Sequence, residues 1–168
     1  MATKDEPSQL RIRQSVSGAF RYALVDLASA PPLRPIIPKL RSAIAEPLFA
    51  RTMPLEVLQV GPWLVNLSEV PEVESMIVGF GIEVPWGYYL HSMFDLVSLR
   101  QSLRKFNLAQ LAGTSREMLF RYWDPRVIRI FLDGATPVQR HRFLEWIEMI
   151  EWADGSIREK ANVAEFGR

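Results

Sequence analysis

The clearest periodic pattern in the chain runs from Leu96 to Phe106. Apolar residues recur there every three or four positions, as they do on the buried face of an amphipathic helix. Ser92 is predicted to cap this helix, with Asp95 three residues later in the position of a capping box. The apolar face consists of Leu96, Leu99, Leu103 and Phe106, and the opposite face of Arg100, Gln101, Arg104 and Lys105.

An apolar and aromatic run from Met118 to Trp123 favours a strand. Asp124 and Pro125 are predicted to end that strand and begin a helix. An aspartate can accept backbone N–H bonds at the cap, and a proline fits the first helical position. The helix carries several large apolar residues and is predicted to end at Gly134.

Thr136 and Gln139 form a second capping box, which predicts another helix that continues to about Trp146. The segment from Glu148 to Ala153 is either the end of that helix or a last edge strand. From Asp154 onward the chain is polar, and we expect a loose tail there.

The first half is less regular, but Tyr22 to Asp26 is a short apolar run typical of a buried strand. Prolines are dense between positions 31 and 47, which argues against strand pairing in that stretch. They favour instead a short helix from about Pro35 or Pro38 to Ala45.

Leu55 to Leu67 alternates weakly and predicts one strand, or two short strands broken at Gly61 and Pro62. Val70 to Phe80 predicts a helix with a proline at its first position. Trp86 to Leu90 is aromatic and typical of a strand.

Short strands that alternate with helices of about ten residues favour an α/β fold. We expect a single domain whose sheet is mixed or mostly parallel, with about four to five short strands flanked by helices. The domain is predicted over residues 19–153, after a flexible N-terminal segment at 1–18 and before a polar C-terminal tail at 154–168.

Composition and charge narrow the possible functions. The formal net charge is +1, so no overall field attracts the chain to nucleic acid or to an anionic bilayer. There is no cysteine and there are only two histidines, which leaves little material for a metal site. No export signal and no membrane-spanning stretch can be found, so the cytoplasm is the expected compartment.

Two catalytic or binding alternatives remain open. His91 and Ser92, with Asp26, Asp95 or Asp124, supply the residue types of a small serine hydrolase, although no Gly-x-Ser-x-Gly elbow is present.

The glycines at 79, 81, 87 and 113 lack a phosphate-loop pattern and are interpreted as turn residues.

The other alternative is a binder of single-stranded nucleic acid, because arginines and aromatic residues alternate in the last third of the chain. Pairing within the molecule is the competing interpretation, most simply between Asp124 and either Arg121 or Arg126. The residues concerned are Arg116, Arg121, Arg126, Arg129, Arg140 and Arg142, with Phe120, Tyr122, Trp123 and Trp146.

The corner at Asp124 carries a recognisable motif. Residues 120–127 read FRYWDPRV and resemble the FR(F/Y)(Y/W)DPRV signature of a bacterial family, domain of unknown function 4123. Further segments agree in order and approximate spacing over about residues 20 to 150. These are Tyr22–Asp26, Pro47–Phe49, Gly61–Val65, Trp86 and Gly87 with Ser92, Leu99–Arg104, and Leu132, Thr136, Gln139 and Phe143.

The resemblance implies a non-catalytic adaptor chaperone of the type VI secretion system. Such a protein binds an effector and the C-terminal region of a VgrG spike protein in the bacterial cytoplasm, and needs no cofactor, metal, nucleic acid or membrane. We expect the signature residues to hold the strand-to-helix corner. They are Phe120, Arg121, Tyr122, Asp124, Pro125 and Arg126.

Tryptophan and arginine dominate protein-binding hot spots. Trp63 and Trp123 lie in strand-like runs and are predicted to be buried. Trp146 and Trp152 sit beside acidic residues near the end of the domain and are candidates for partner binding. The remaining candidates for partner binding are Arg100, Arg104 and Arg140.

Overall fold

The computed structural model describes residues 16, 18–110 and 112–160 of the chain. Within these residues eight strands form a six-stranded and a two-stranded sheet. The strands are β1 (Phe20–Asp26), β2 (Ala45–Pro47), β3 (Pro62–Asn66), β4 (Gly87–Ser92), β5 (Leu108–Gln110), β6 (Glu117–Leu119), β7 (Met149–Glu151) and β8 (Ile157–Glu159).

Five α-helices lie between the strands in the described part of the chain. They are α1 (Leu55–Leu58), α2 (Pro71–Gly79), α3 (Leu96–Arg104), α4 (Pro125–Gly134) and α5 (Pro137–Leu144). Single turns of 3₁₀ helix occur at Pro31–Leu33, Ile37–Lys39 and Leu67–Glu69.

The large sheet has the order β2-β3-β1-β4-β7-β8, and every neighbouring pair is antiparallel. The prediction of a mixed or mostly parallel sheet of four to five strands is therefore wrong. Helix α2 does join two strands of like direction, β3 and β4, but β1 lies between them. Alternation of strands and helices along a chain does not reveal which strands become neighbours.

Both faces of this sheet are buried. Along β1, Tyr22 and Leu24 point into a first core beneath α3, α4 and α5. Ala23 and Val25 point into a second core beneath α2 and the 3₁₀ turns. The strand predicted at Tyr22 to Asp26 is confirmed, and its unbroken apolar run follows from burial on both faces.

The helix beginnings that depend on local capping are confirmed. Asp124 caps α4, which ends at Gly134, and Thr136 forms a complete capping box with Gln139 at the start of α5. The helix predicted over Val70 to Phe80 is present as α2, with Pro71 at its first position.

Ser92 does not cap α3. Asp95 is the N-cap and accepts a bond from the Ser98 N–H at 2.8 Å, whereas Ser92 ends β4 and is fully buried. Its hydroxyl donates to the Trp146 carbonyl at 2.7 Å. Both residue types favour caps, so the sequence pattern alone could not separate them.

Three predictions in less regular segments are wrong. Leu55 to Leu58 is a single helical turn, and only Pro62–Asn66 of that region is a strand. No α-helix spans 35–45, where the chain makes one 3₁₀ turn. Pro47 does pair in a strand, opposite Trp63, because β2 is an edge strand and needs no N–H bond on its outer side.

The predicted strand over Met118 to Trp123 is reduced to Glu117–Leu119, whose residues are exposed. Tyr122 and Trp123 are buried in the turn that leads into α4. An apolar run indicates burial, but over so few residues it does not determine the backbone conformation.

The end of the described chain is more ordered than expected. Of the two alternatives for Glu148 to Ala153, the end of a helix or a last edge strand, the structure has a strand, β7, but β8 pairs with it and forms the edge instead. The expectation of a loose tail from Asp154 is wrong for Ile157–Glu159. The boundaries of the domain stay a prediction, and residues 1–15 and 161–168 lie outside the described residues.

Candidate interaction surface

The corner before α4 is anchored on the end of the central strand. Asp26, the last residue of β1, is only 1% exposed. Its carboxylate accepts bonds from the Ala28 N–H and the Ser29 hydroxyl, both at 3.1 Å, and from Nη2 of Arg121 at 3.2 Å. Arg121 therefore ties the signature segment to β1.

Asp124 is the second buried carboxylate of this corner. One of its oxygens accepts from the Arg126 N–H at 2.9 Å and from Arg126 Nε at 3.0 Å. The other accepts from Arg126 Nη2 at 2.7 Å. Burial alone would raise the pKa of Asp124, but these bonds and the charges of Arg126 and Arg121 hold it below its usual value. The predicted pairing within the molecule is confirmed.

Tyr122 connects the corner to the first core. Its hydroxyl lies 2.9 Å from the Leu103 carbonyl at the end of α3 and 3.0 Å from Asn107 Oδ1. Its own carbonyl accepts a bond from the Tyr88 hydroxyl at 2.8 Å. Burial raises the pKa of Tyr122, so the hydroxyl stays neutral. Phe120 packs partly buried against the same core.

An open cleft of about 410 Å³ lies next to the corner, between the segment before β4, the start of α4 and the residues after β7. The Arg129 guanidinium lies over the Trp152 ring, 4.6 Å from its centroid, and donates to Asp154 at 2.7 Å. Lining residues include Ile82, Val84, Pro85, Arg126, Arg129 and Trp152.

The two tryptophans that are candidates for partner binding are both at least partly buried. Trp152 is only 5% exposed, so its assignment to an exposed contact surface is not supported. Trp146 is half-buried and packs against Phe94, with ring centroids 4.2 Å apart. Trp63 and Trp123 are buried, as predicted.

The structure brings two of the three candidate arginines together. Arg100 donates to the Pro47 carbonyl at 2.7 Å, and Arg104 lies exposed one helical turn further along α3. Arg51 and Glu46, which sequence reasoning missed, join them. Arg140 lies on α5 and donates to the Leu132 carbonyl of α4 at 3.3 Å.

The hydrolase alternative requires His91 and Ser92 to act on one substrate. They are consecutive residues of β4, and consecutive side chains of a strand point to opposite faces of the sheet. His91 lies 3.3 Å from Glu151 on one face, and Ser92 bonds to Trp146 on the other. The geometry does not assemble this pair.

The nucleic-acid alternative requires exposed rings on which bases can stack. Tyr122 and Trp123 are buried, and the guanidinium groups of Arg121 and Arg126 lie against carboxylates. These four members of the arginine and aromatic pattern are thus used within the molecule.

A second charged network, which sequence reasoning missed, lies on the opposite face of the sheet. Arg21 bonds to Glu74, lies 3.8 Å from Glu151, and stacks 4.2 Å from the centre of the Tyr89 ring. Burial, opposed by the charge of Arg21, raises the pKa of Tyr89 to about 12. These partners are far apart in sequence, so no local signal predicts the network.

Two further findings concern the described residues only. No helix there is long and apolar enough to cross a membrane. In the same part of the chain, no three His, Asp or Glu side chains are grouped so that they could hold a metal ion.

The fold is an antiparallel sheet with helices on both faces, not the predicted α/β fold, and its corner of buried carboxylates bound by arginines braces the beginning of α4. The chain belongs to the DUF4123 family, a domain of unknown function, whose model matches residues 21–142. This range runs from β1 into α5 and contains the corner, which confirms the family inferred from the motif. No curated protein and no solved structure matches the chain.

Proposed function

We propose that this protein is a non-catalytic adaptor chaperone of the type VI secretion system. It binds an effector in the cytoplasm and loads it onto the C-terminal region of a VgrG spike protein. The observation that carries the proposal is membership of the DUF4123 family over residues 21–142, because the motif in that range resembles those of such adaptors.

The positions of the reactive side chains support an adaptor. Asp26, His91, Ser92 and Asp124 are each at most 3% exposed. Both carboxylates and the serine hydroxyl bond to neighbouring parts of the fold. In these positions the side chains stabilise the architecture and are shielded from a substrate.

Exposed apolar residues also support binding to other polypeptides. In the small sheet, Leu108 and Leu119 face each other across the strand pair and are 55% and 51% exposed. Met118 beside them is 49% exposed. An apolar patch of this kind on a polar surface is typical of a protein interaction site.

The test is complex formation with a VgrG spike protein and an effector of a type VI secretion system from the same organism. The tagged chain is expected to retain full-length VgrG and the effector, and to lose VgrG when the C-terminal region of the spike is deleted. In cells, deletion of the gene is expected to stop secretion of that effector while another spike-dependent effector is still secreted.

The proposal fails if the tagged, folded chain retains neither spike nor effector. It also fails if secretion of the effector is unchanged in the deletion strain.

A further inference from the structure

Two arginines converge on a single carboxylate where α3 contacts β2, and a third arginine lies one helical turn away. Glu46 Oε2 lies 3.0 Å from Arg51 Nη2 and 3.6 Å from Arg100 Nε. Arg104 follows Arg100 by one helical turn and is exposed, with no ion pair among the described residues. We call Arg51, Arg100 and Arg104 the arginine cluster.

Positive charge exceeds negative charge in the arginine cluster, since Glu46 is the one carboxylate of the described residues that forms an ion pair with any of its three members. Burial lowers the pKa of Arg100, and the positive charges of Arg104 and Arg51 lower it further, against the opposite effect of Glu46. The corner before α4 differs, because Arg121 and Arg126 there face two buried carboxylates, Asp26 and Asp124. A further anion would relieve the repulsion at the arginine cluster.

An apolar strip adjoins the arginine cluster. Asn107, three residues after Arg104, donates to the Leu48 carbonyl at 2.9 Å and immediately precedes β5. This bond places the start of the small sheet beside the end of β2. The exposed pair Leu108 and Leu119 therefore lies at the end of the small sheet that Asn107 anchors, and Leu108 follows Arg104 by four residues.

We propose that the arginine cluster docks an acidic segment of a partner polypeptide. The carboxylates of that segment pair with Arg104 and Arg51, and an apolar residue of the segment packs on Leu108 and Leu119. Arg100 holds the surface in place through its bond to the Pro47 carbonyl. The inference rests on the proposed function, for which it identifies the contact surface and the chemistry of the segment bound there.

A protein segment fits this surface better than a nucleic acid does. Tyr122, whose hydroxyl bonds to the end of α3, is buried, and Phe49 and Phe106 pack partly buried against the first core. These rings are used within the fold, whereas a nucleic-acid binder needs exposed rings on which bases can stack. The exposed neighbours are aliphatic, and the whole chain carries a net charge of only +1. Apolar contact with local charge complementarity is typical of a protein interface.

The direct test uses a short fluorescein-labelled peptide of Glu, Asp and Leu, with a peptide of Gln, Asn and Leu in the same order as the neutral control. Fluorescence anisotropy is measured at low and at physiological ionic strength. The acidic peptide is expected to bind more tightly than the neutral one, and its advantage is expected to shrink as salt screens the charges.

Arg104→Glu is the informative variant, since the side chain is exposed and unpaired among the described residues. It is expected to weaken binding of the acidic peptide about tenfold or more, because like charges are then opposed, and Arg104→Gln less. Arg41→Glu is the matched control. It makes the same charge change in the layer of the second core, between Leu40 and Ile44, and should leave binding unchanged.

Equal binding of the two peptides, or equal binding to wild type and Arg104→Glu with unchanged melting temperatures, overturns the inference. Tighter binding of a single-stranded oligonucleotide that is lost in Arg104→Glu overturns it in favour of nucleic acid. If the Arg104→Glu variant retains the spike protein and the effector as wild type does, the assignment of the docking surface to the arginine cluster is wrong but the proposed function stands. Peptide binding by a chain that retains neither protein supports the surface and rejects the proposed function.

Discussion

The aspartates and the arginines of the corner before α4 differ in how much of each side chain is exposed to solvent. The side chains of Asp26 and Asp124 are 2% and 4% exposed, whereas those of Arg121 and Arg126 are 48% and 68% exposed. An exposed guanidinium that loses its partner is solvated by water. A buried carboxylate that loses its partner is not, and the cost of its desolvation remains. Loss of an ion-pair partner is therefore expected to destabilise the fold more through the buried aspartates than through the exposed arginines.

Replacement of Asp124 by alanine is expected to lower the stability of the fold. The change removes the N-cap of α4 and the bidentate partner of Arg126, which together cost about 1–2 kcal/mol. For a chain of this size that corresponds to a fall of roughly 2–8 °C in melting temperature. Thermal unfolding followed by circular dichroism measures it.

Asp133→Ala is the matched control on the same helix. The Asp133 side chain is 69% exposed and, among the described residues, pairs only with Arg158, so its removal should change the melting temperature little. An unchanged melting temperature in Asp124→Ala together with lost partner binding would contradict the structural role and assign Asp124 to the interface.

At the scale of residues, a side-chain pairing can be predicted from the sequence where the two partners are close in the chain. Asp124 and Arg126 are two residues apart, and their pairing follows from capping chemistry. Arg121 and Asp26 are 95 residues apart, and only the fold brings them together. The same holds for Glu46 and Arg100, so the candidate surface could be predicted only in part, from Arg100 and Arg104 on one helix face.

At the scale of elements, the contact between β1 and β4 depends on one glycine. Gly87 has a φ of +138°, and a Cβ built on it would lie 1.8 Å from the Leu24 carbonyl oxygen. It is the first residue of β4 and is placed opposite Val25. The interpretation of Gly87 as a turn residue is wrong. The residue lies in a strand, where the absence of a side chain allows β4 to approach β1 closely.

Gly87→Ala is expected to destabilise the protein by at least about 3 kcal/mol, through strain and separation of the central strands. Gly79→Ala is the control, since a Cβ on that residue of α2 meets nothing within 4 Å. It should be neutral or stabilising by up to about 1 kcal/mol. Urea unfolding at equilibrium measures both, and equal stability of Gly87→Ala and wild type would contradict the close approach.

Helices whose first residues include a capping side chain and a proline could be predicted from the sequence, whereas helices and strands of three or four residues could not. Proline at the first position with a capping Asp or Thr determines where α4 and α5 begin. The single turn of α1 and the three-residue strands β5 and β6 contain too few residues for a period to show. Their conformations are set by tertiary contacts.

At the scale of the whole molecule, the error in sheet topology has a physical source. Strands that are apolar along their whole length are typical of parallel sheets, because helices cover both faces of those sheets. Here an antiparallel sheet is covered on both faces as well, by α3, α4 and α5 on one side and by α2 on the other. An apolar strand sequence indicates that the strand is buried, but it does not indicate whether the neighbouring strands run parallel or antiparallel to it.

Because one sheet serves both cores, we expect the two layers to unfold together. Leu24 and Val25 are adjacent in β1, fully buried, and point into the first and the second core respectively. Replacement of Leu24 by alanine should cost about 2–5 kcal/mol and replacement of Val25 somewhat less. Each should accelerate hydrogen exchange of the slowest amides in α2 and in α4 by the same factor, since both depend on global unfolding. Acceleration confined to the layer that carries the substitution would show that the layers open separately.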